Sequence, residues 1–127
     1  MHQSIELFVA IQTLVIAVSH IAQPRAWVDF FVWLRGKGHA GVFVNGFLSL
    51  GFGSLIIAFH PVWTGPETVV TLLGWAQVAK GTVAFVLPQV SMRGFERVSM
   101  ERRHEFLFAG FGLLALSGFC WYLVLAR

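Results

Sequence analysis

Residues 68–87 read TVVTLLGWAQVAKGTVAFVL, and this stretch decides the fold class. It holds a single charged side chain, Lys80, and a single amide, Gln77. As an α-helix it would be roughly 30 Å long, which is about the thickness of the hydrocarbon core of a bilayer. The sequence therefore predicts that this segment crosses a membrane as a helix.

Three further stretches share this length and apolar character, namely residues 5–22, 41–59 and 106–126. Of the 127 residues in the chain, 57% are hydrophobic and only 12% are charged. Soluble domains carry about a quarter charged residues, so this composition indicates a membrane protein. We therefore expect an all-α membrane protein with four transmembrane helices, which form a single domain over residues 1–127.

Basic residues are concentrated in the first and third connections between these spans. The two connections carry seven of the nine Lys and Arg residues, whereas the opposite side has only Arg127. Because loops rich in Lys and Arg remain in the cytoplasm, we expect both connections there and both termini outside it. The same seven residues are the predicted contacts with lipid headgroups: Arg25, Arg35, Lys37, Arg93, Arg97, Arg102 and Arg103.

Both basic connections are predicted to be amphipathic helices that lie along the cytoplasmic membrane surface. Pro24 and Pro88 stand where such helices would begin, and proline is favoured in the first turn of a helix. The first connection also has apolar residues at helical spacing, and this face is expected to rest on lipid: Trp27, Phe30, Phe31 and Leu34.

The order of span, proline, basic helix and span occurs twice along the chain. This pattern favours a parallel duplication of a two-span unit, over residues 5–60 and 68–126, with the halves related by an axis along the membrane normal. Alignment of the sequence with itself at an offset of 64 residues gives five identical pairs: Pro24 with Pro88, Phe31 with Phe95, Gly46 with Gly110, Phe47 with Phe111 and Leu50 with Leu114.

The sequence QPRAWVDFF after the first span, followed by the Gly-rich span GVFVNGFLSLGFG, resembles a family of small uncharacterised bacterial inner-membrane proteins. Members of that family are single hairpins with a Pro-x-x-Trp motif after the first span. The likeness covers residues 10–58, and no Trp follows Pro88 at the same spacing in the second half. The resemblance implies a bacterial inner membrane and no assigned activity, and this chain would be a tandem duplication of such a hairpin.

Small and polar residues on the spans predict where helices meet and where a ligand could bind. Gly41, Asn45, Ser49 and Gly53 recur every four residues and are the predicted helix-packing ridge, since small residues allow membrane helices to approach closely. A cation within a span attracts anions, so an anion or lipid-headgroup site is a second hypothesis. Its predicted ligands are Lys80, Gln77, Asn45 and Gln12.

Acidic residues and histidines lie at the ends of the spans. Glu6 and Glu67 are both at the outer ends, so we expect no ion pair inside the bundle. His20 and His104 are at similar depth, which makes haem ligation conceivable, although the local spacing does not support it and no cofactor is predicted. The sequence has no cluster of Cys and His for zinc, no nucleophile–base pair and no phosphate loop. We therefore predict no catalytic or metal-binding residues.

Three classes of function remain open. The first is a non-enzymatic inner-membrane subunit that packs against copies of itself or against a larger partner, and this is the class we favour. The second is a small oligomeric channel or transporter with the anion site at Lys80. The third is a redox subunit associated with haem or quinone. Nucleic acid is not an expected partner, because the basic residues flank apolar runs and form no basic domain.

Overall fold

The computed structural model describes residues 2–126, and these residues form an all-helical bundle. Four of the helices (α1, α3, α4 and α6) are long and apolar enough to cross a membrane, which confirms the predicted fold class at this level. Arg127, predicted to lie outside the cytoplasm, is beyond the described residues. The helices are α1 His2–Ala22, α2 Pro24–Gly36, α3 His39–Phe59, α4 Thr68–Val86, α5 Pro88–Glu96, a short 3₁₀ helix Met100–Arg102 and α6 His104–Leu125.

Prolines separate the first and third long helices from the short helices that follow them. The residue before a proline is pushed away from helical backbone angles, because its backbone clashes with the proline ring. Gln23 has φ −131° and ψ 54°, and Leu87 has φ −129° and ψ 65°. Both short helices therefore begin at a proline after the same backbone bend.

The long helices form two antiparallel pairs, α1 with α6 and α3 with α4. In the first pair, the Ser117 hydroxyl on α6 donates to the Ala10 carbonyl on α1 at 2.9 Å. In the second, a Cβ added at Gly53 of α3 would lie 2.6 Å from the Gly74 carbonyl oxygen on α4. Such close approach is how apolar helices associate in lipid, where burial of apolar surface between helices provides little driving force.

Two apolar clusters lie in the bundle, one at each end, and the first of them joins the two helix pairs. The end that carries the start of α1, the end of α6 and the α3–α4 loop is called the terminal end, and the end that carries α2 and α5 is called the connector end. The terminal-end cluster contains Ile5, Val9, Ala10, Ile56, Val70, Cys120 and Leu123. The connector-end cluster contains Leu34, Val42, Ala84 and Phe95, with Phe30, Phe31 and Met92 packed against it.

The apolar face of α2 packs partly on protein. Leu34 is fully buried, and the Phe31 ring lies 5.6 Å from that of Phe95 and 5.7 Å from that of Phe106, between ring centroids. Trp33 remains exposed. Part of the face expected to rest on lipid therefore contacts α5 and α6. The reason is that both short helices lie at the same end of the bundle, where their apolar side chains pack against each other.

Candidate functional site

A buried polar cluster occupies the terminal end of the bundle. It consists of Glu6, His60 and Thr71, and each of the three is 0% exposed to solvent. Glu6 lies in the second turn of α1, His60 directly follows α3, and Thr71 is in the first turn of α4. The Glu6–His60–Thr71 cluster thus draws on three of the four long helical segments and on both helix pairs.

Hydrogen bonds connect the three side chains in a row. The Nε2 atom of His60 lies 3.0 Å from Oε2 of Glu6, and its Nδ1 atom lies 2.9 Å from Oγ1 of Thr71. The Thr71 hydroxyl is also 2.9 Å from the His60 carbonyl oxygen and 2.7 Å from the Val62 carbonyl oxygen. The imidazole is therefore held from both ring nitrogens, and Thr71 fixes the chain where it leaves α3.

A cavity of about 260 Å³ adjoins this cluster. His2 and Thr64 in its wall are exposed, so the cavity opens to the surface at the terminal end. The His2 ring lies 5.5 Å from the His60 ring, between centroids. The lining residues are His2, Glu6, Val62, Thr64 and Glu67.

The structure brings Glu6 and His60 together as a fully buried acid–histidine pair, a contact that the sequence analysis did not predict. Sequence reasoning placed both residues at a membrane boundary, where side chains usually reach water. In the structure, His60 directly follows α3 and lies against Glu6 near the start of α1. The one signal in the sequence is a carboxylate within an apolar run, since an ionisable residue in a membrane segment is commonly functional.

The four predicted ligand residues lie on three different helices. Gln12 of α1 and Lys80 of α4 are exposed on the surface of the chain, whereas Asn45 of α3 and Gln77 of α4 are half-buried. Gln77 lies at the α3–α4 contact, because its Cβ would be 2.8 Å from a Cβ added at Gly53. Neither Lys80 nor Gln12 makes a side-chain hydrogen bond within residues 2–126.

The residues of the predicted packing ridge contact two different neighbours. Gly53 is buried against α4 and Ser49 is buried beside it on the same helix, while Asn45 is half-buried. Gly41 is buried against the backbone of Leu34 in α2. The predicted ridge does not include Gly46, which lies seven residues before Gly53 and is also buried against α4.

The two histidines considered for haem have different surroundings. His20 is buried, its Nδ1 lies 2.8 Å from the Ile16 carbonyl oxygen, and its ring stacks on Trp27 at 4.1 Å between centroids. His104 is exposed, with its ring edge-on to Phe108 at 5.9 Å. Trp27 in turn donates to the Ser19 hydroxyl at 2.9 Å, beside a cavity of about 220 Å³ lined by Ser19, Ala26, Trp27 and Phe30.

The predicted headgroup residues all lie on or beside the connector helices. Six are exposed: Arg25, Lys37, Arg93, Arg97, Arg102 and Arg103. Arg35 is half-buried, and its guanidinium donates to the carbonyl oxygens of Phe95, Glu96 and Val98 at 3.2–3.4 Å. Arg97 pairs with Glu105 at 3.0 Å. The connector end is therefore the basic end of the described chain.

Comparison of the chain with models of known protein families, with curated proteins and with solved structures found no match.

Proposed function

We propose that this chain is a non-enzymatic subunit of a larger assembly in a bacterial inner membrane, formed with copies of itself or with a larger membrane protein. The observation that carries the proposal is the position of Gln12 and Lys80. Both lie within membrane-spanning helices, and both are on the outer surface of the chain. A lone chain would present these polar side chains to lipid.

Such exposure is costly for a monomer. A lysine at the bilayer centre costs about 2.5–3.5 kcal/mol, and less toward a helix end, where its stem lets the ammonium reach the headgroups. Gln12 is in the middle of α1, with ten residues on either side, and a glutamine has no comparable reach. A neighbouring subunit that offers hydrogen-bonding groups would remove this cost, and membrane helices associate through such contacts.

The geometry is compatible with contact between α1 of one copy and α4 of the next. Both helices run from the terminal end to the connector end, Gln12 being ten residues before the end of α1 and Lys80 six residues before the end of α4. The depths differ by four residues, or about 6 Å, which the flexible stem of a lysine can bridge. Head-to-tail contacts close into a ring when the rotation between copies completes a full turn, and otherwise they form an open chain.

Cysteine crosslinking in membranes tests this assembly. With the native thiol removed by Cys120→Ser, the double variant Gln12→Cys and Lys80→Cys should give crosslinked dimers and higher species on treatment with a short bifunctional maleimide. Leu48→Cys, on an exposed face of α3, is the matched control and should crosslink less. Native mass spectrometry should show a homo-oligomer or a co-purified membrane protein. A strictly monomeric chain in both measurements contradicts the proposal.

A small channel or transporter is the second candidate, and the exposed ammonium of Lys80 favours it. The half-buried Gln77 lies one turn before Lys80 on α4, so an anion or a lipid phosphate at Lys80 would have an amide nearby. Anion flux into proteoliposomes distinguishes this candidate from the first, and Lys80→Met should abolish that flux while leaving the assembly intact. A redox role with haem or quinone remains a prediction, tested by the absorbance spectrum of the purified protein.

The distribution of charge supports an orientation with the connector end in the cytoplasm. The headgroup residues are concentrated there, and the positive-inside rule retains such segments in the cytoplasm. Both termini would then be outside it. In a Cys120→Ser background, a thiol reagent that cannot cross membranes should label Thr64→Cys in intact spheroplasts and should leave Ser99→Cys unlabelled.

We also propose that the two halves of the chain form a parallel repeat. The helix contacts support it, because contacts in one pair have counterparts 64 residues away in the other pair. Phe31 and Phe95 are themselves separated by 64 residues, and their rings lie 5.6 Å apart, as residues beside a two-fold axis would. The equivalent glycine contacts are Gly110 with His20 and Ile21, and Gly46 with Ala84 and Phe85.

A further inference from the structure

We propose that the corner between α1 and α2 is a binding site for one glycerophospholipid of the surrounding membrane. An ester carbonyl of the lipid accepts the hydroxyl hydrogen of Ser19, and part of an acyl chain fills the cavity beside Trp27. This inference is independent of the proposed assembly. It rests on the shape of the cavity, on a hydrogen-bond donor in its wall, and on the depth of both in the bundle.

The cavity at this corner has a volume of about 220 Å³ and opens to the outside of the chain. Ser19 of α1 forms one side of it, and Ala26, Trp27 and Phe30 of α2 form the other. Ala26 is exposed, and the other three residues are half-buried. Pockets that enclose a whole small molecule measure about 300–1,000 Å³. This cavity therefore accommodates part of a long, flexible ligand rather than all of a compact one.

The aromatic wall of the cavity is held in place by contacts within the protein. The Trp27 ring stacks on His20 at 4.1 Å between centroids and meets the Phe30 ring edge-on at 5.9 Å. The Phe30 ring in turn stacks on Trp33 at 6.4 Å. The indole N–H of Trp27 donates to the Ser19 hydroxyl at 2.9 Å. The wall is thus preformed, which lowers the cost of ordering it when a ligand binds.

Ser19 provides a hydrogen-bond donor that the protein does not use. A hydroxyl has one hydrogen to donate and two lone pairs that accept. The Ser19 oxygen accepts from Trp27, and its own hydrogen is donated to no acceptor within residues 2–126. The Trp27 N–H is already occupied by this bond. A ligand in the cavity therefore meets a single free donor on an apolar wall, and the matching group is an acceptor such as an ester carbonyl.

The depth of the cavity matches the ester region of a bilayer. The α1 helix is long and apolar enough to cross a membrane, and Ser19 is three residues, or about 5 Å, before its end. Spans end where the hydrocarbon core meets the polar headgroup region. Arg25 and Lys37, at the two ends of α2, are exposed and complement the charge of a lipid phosphate. Asp29, the acidic residue of α2, forms no ion pair within the described chain.

The second half of the chain forms a similar corner without this wall. The α5 helix begins at a proline after the same backbone bend as α2. At an offset of 64 residues, however, Ser19, Ala26, Trp27 and Phe30 correspond to Val83, Val90, Ser91 and Gly94. The bend therefore does not need the bond between tryptophan and serine or the aromatic wall, which supports a binding role for both.

Native mass spectrometry of the delipidated protein with added diacyl phosphatidylethanolamine tests the cavity. The natural chain should bind a first lipid at lower concentration than any further ones. Ala26→Phe places a ring at the mouth of the cavity and should weaken this first binding by about tenfold, through loss of acyl-chain burial and of the hydrogen bond. Val90→Phe, at the corresponding exposed position of α5, is the matched control and should bind as the natural chain does. Equal binding by the two variants overturns the proposal.

Competition between diester and diether forms of the same lipid tests the hydrogen bond. The natural chain should favour the diester by about two- to tenfold, because the ether lacks the carbonyl that accepts one neutral hydrogen bond. Loss of the Ser19 hydroxyl alone would free the Trp27 N–H to replace it. The double variant Ser19→Ala and Trp27→Phe removes both donors and should show no preference. A natural chain that binds the two lipids equally contradicts the proposal, and this comparison is decisive even should the double variant fail to fold.

Discussion

Gly53 and Gly51 lie two residues apart on α3 in opposite surroundings. A Cβ at Gly53 would lie 2.6 Å from the Gly74 carbonyl oxygen and 2.6 Å from the Val78 nitrogen, which are backbone atoms of α4. A Cβ at Gly51 would have no neighbour within 4 Å. One glycine is therefore needed for the α3–α4 contact, and the other is not.

We predict that Gly53→Ala destabilises the protein by about 1–3 kcal/mol, since added volume at a close-packed contact forces the backbones apart. Gly51→Ala should leave the free energy of unfolding unchanged or raise it by up to about 1 kcal/mol, because alanine favours the helix over glycine. Unfolding in mixed micelles measures both values. Equal effects of the two substitutions would show that the α3–α4 contact is looser than described.

One side chain of α2, Arg35, forms hydrogen bonds with the end of α5 in addition to the apolar contacts between these two short helices. Arg35 is in the last turn of α2, and its guanidinium donates to three carbonyl oxygens at and beyond the end of α5. Carbonyls at the end of a helix lack partners within the helix and carry partial negative charge, so a guanidinium is well suited to bind them. The arginine thus acts as a cap for a neighbouring helix.

Arg35→Met should therefore destabilise the protein by about 1.5 kcal/mol, the lower end for hydrogen bonds from a charged group, because the side chain is half-exposed to water. It should also speed tryptic cleavage after Arg97 or Arg102, in the segment that follows α5. Arg25→Met is the control, as Arg25 is exposed on the same helix and makes no side-chain hydrogen bond within residues 2–126. Similar cleavage rates in both variants would argue against the capping role.

At the scale of the whole molecule, both close helix pairs join the first half of the chain to the second. The α1 helix packs on α6 and α3 packs on α4, so neither half holds a close pair of its own. The connection between the halves is the segment between α3 and α4, residues 60–67. Cutting the chain there breaks no helix.

We predict that residues 1–64 and 65–127, expressed together as separate chains, associate into a complex that co-purifies through a tag on either one. Each half expressed alone should be degraded or should self-associate, because its long helices lack the surfaces they pack against. Co-purification followed by protease resistance measures the outcome. A half that is a protease-resistant monomer by itself would contradict the observed helix pairing.

The ends of the helices were largely predictable from the sequence. Hydropathy places the four long helices, and the prolines at positions 24 and 88 set the starts of α2 and α5. These features are local, since they depend on the apolar content of one segment and on the backbone restriction that a proline imposes on its neighbour. The apolar character of α2 was also visible, although its packing on α5 and α6 was not.

The polar residues were harder to interpret. Lys80 and Gln12 drew attention as polar residues inside their spans, but the structure leaves both on the surface. Glu6 and His60 are 54 positions apart, and nothing in the spacing of either one indicates the other. The four-residue ridge on α3 included Gly53 and missed Gly46, because every face of this helix contains small residues.

The sequence by itself determined that the chain is helical, that four segments can cross a membrane, and where the short helices begin. Only the tertiary structure decided that α1 pairs with α6, that α3 pairs with α4, and that Glu6 meets His60 and Thr71 in a buried cluster. The physical reason is that lipid and a neighbouring helix are almost equally apolar, so hydropathy identifies a membrane helix without showing which of its faces touches protein.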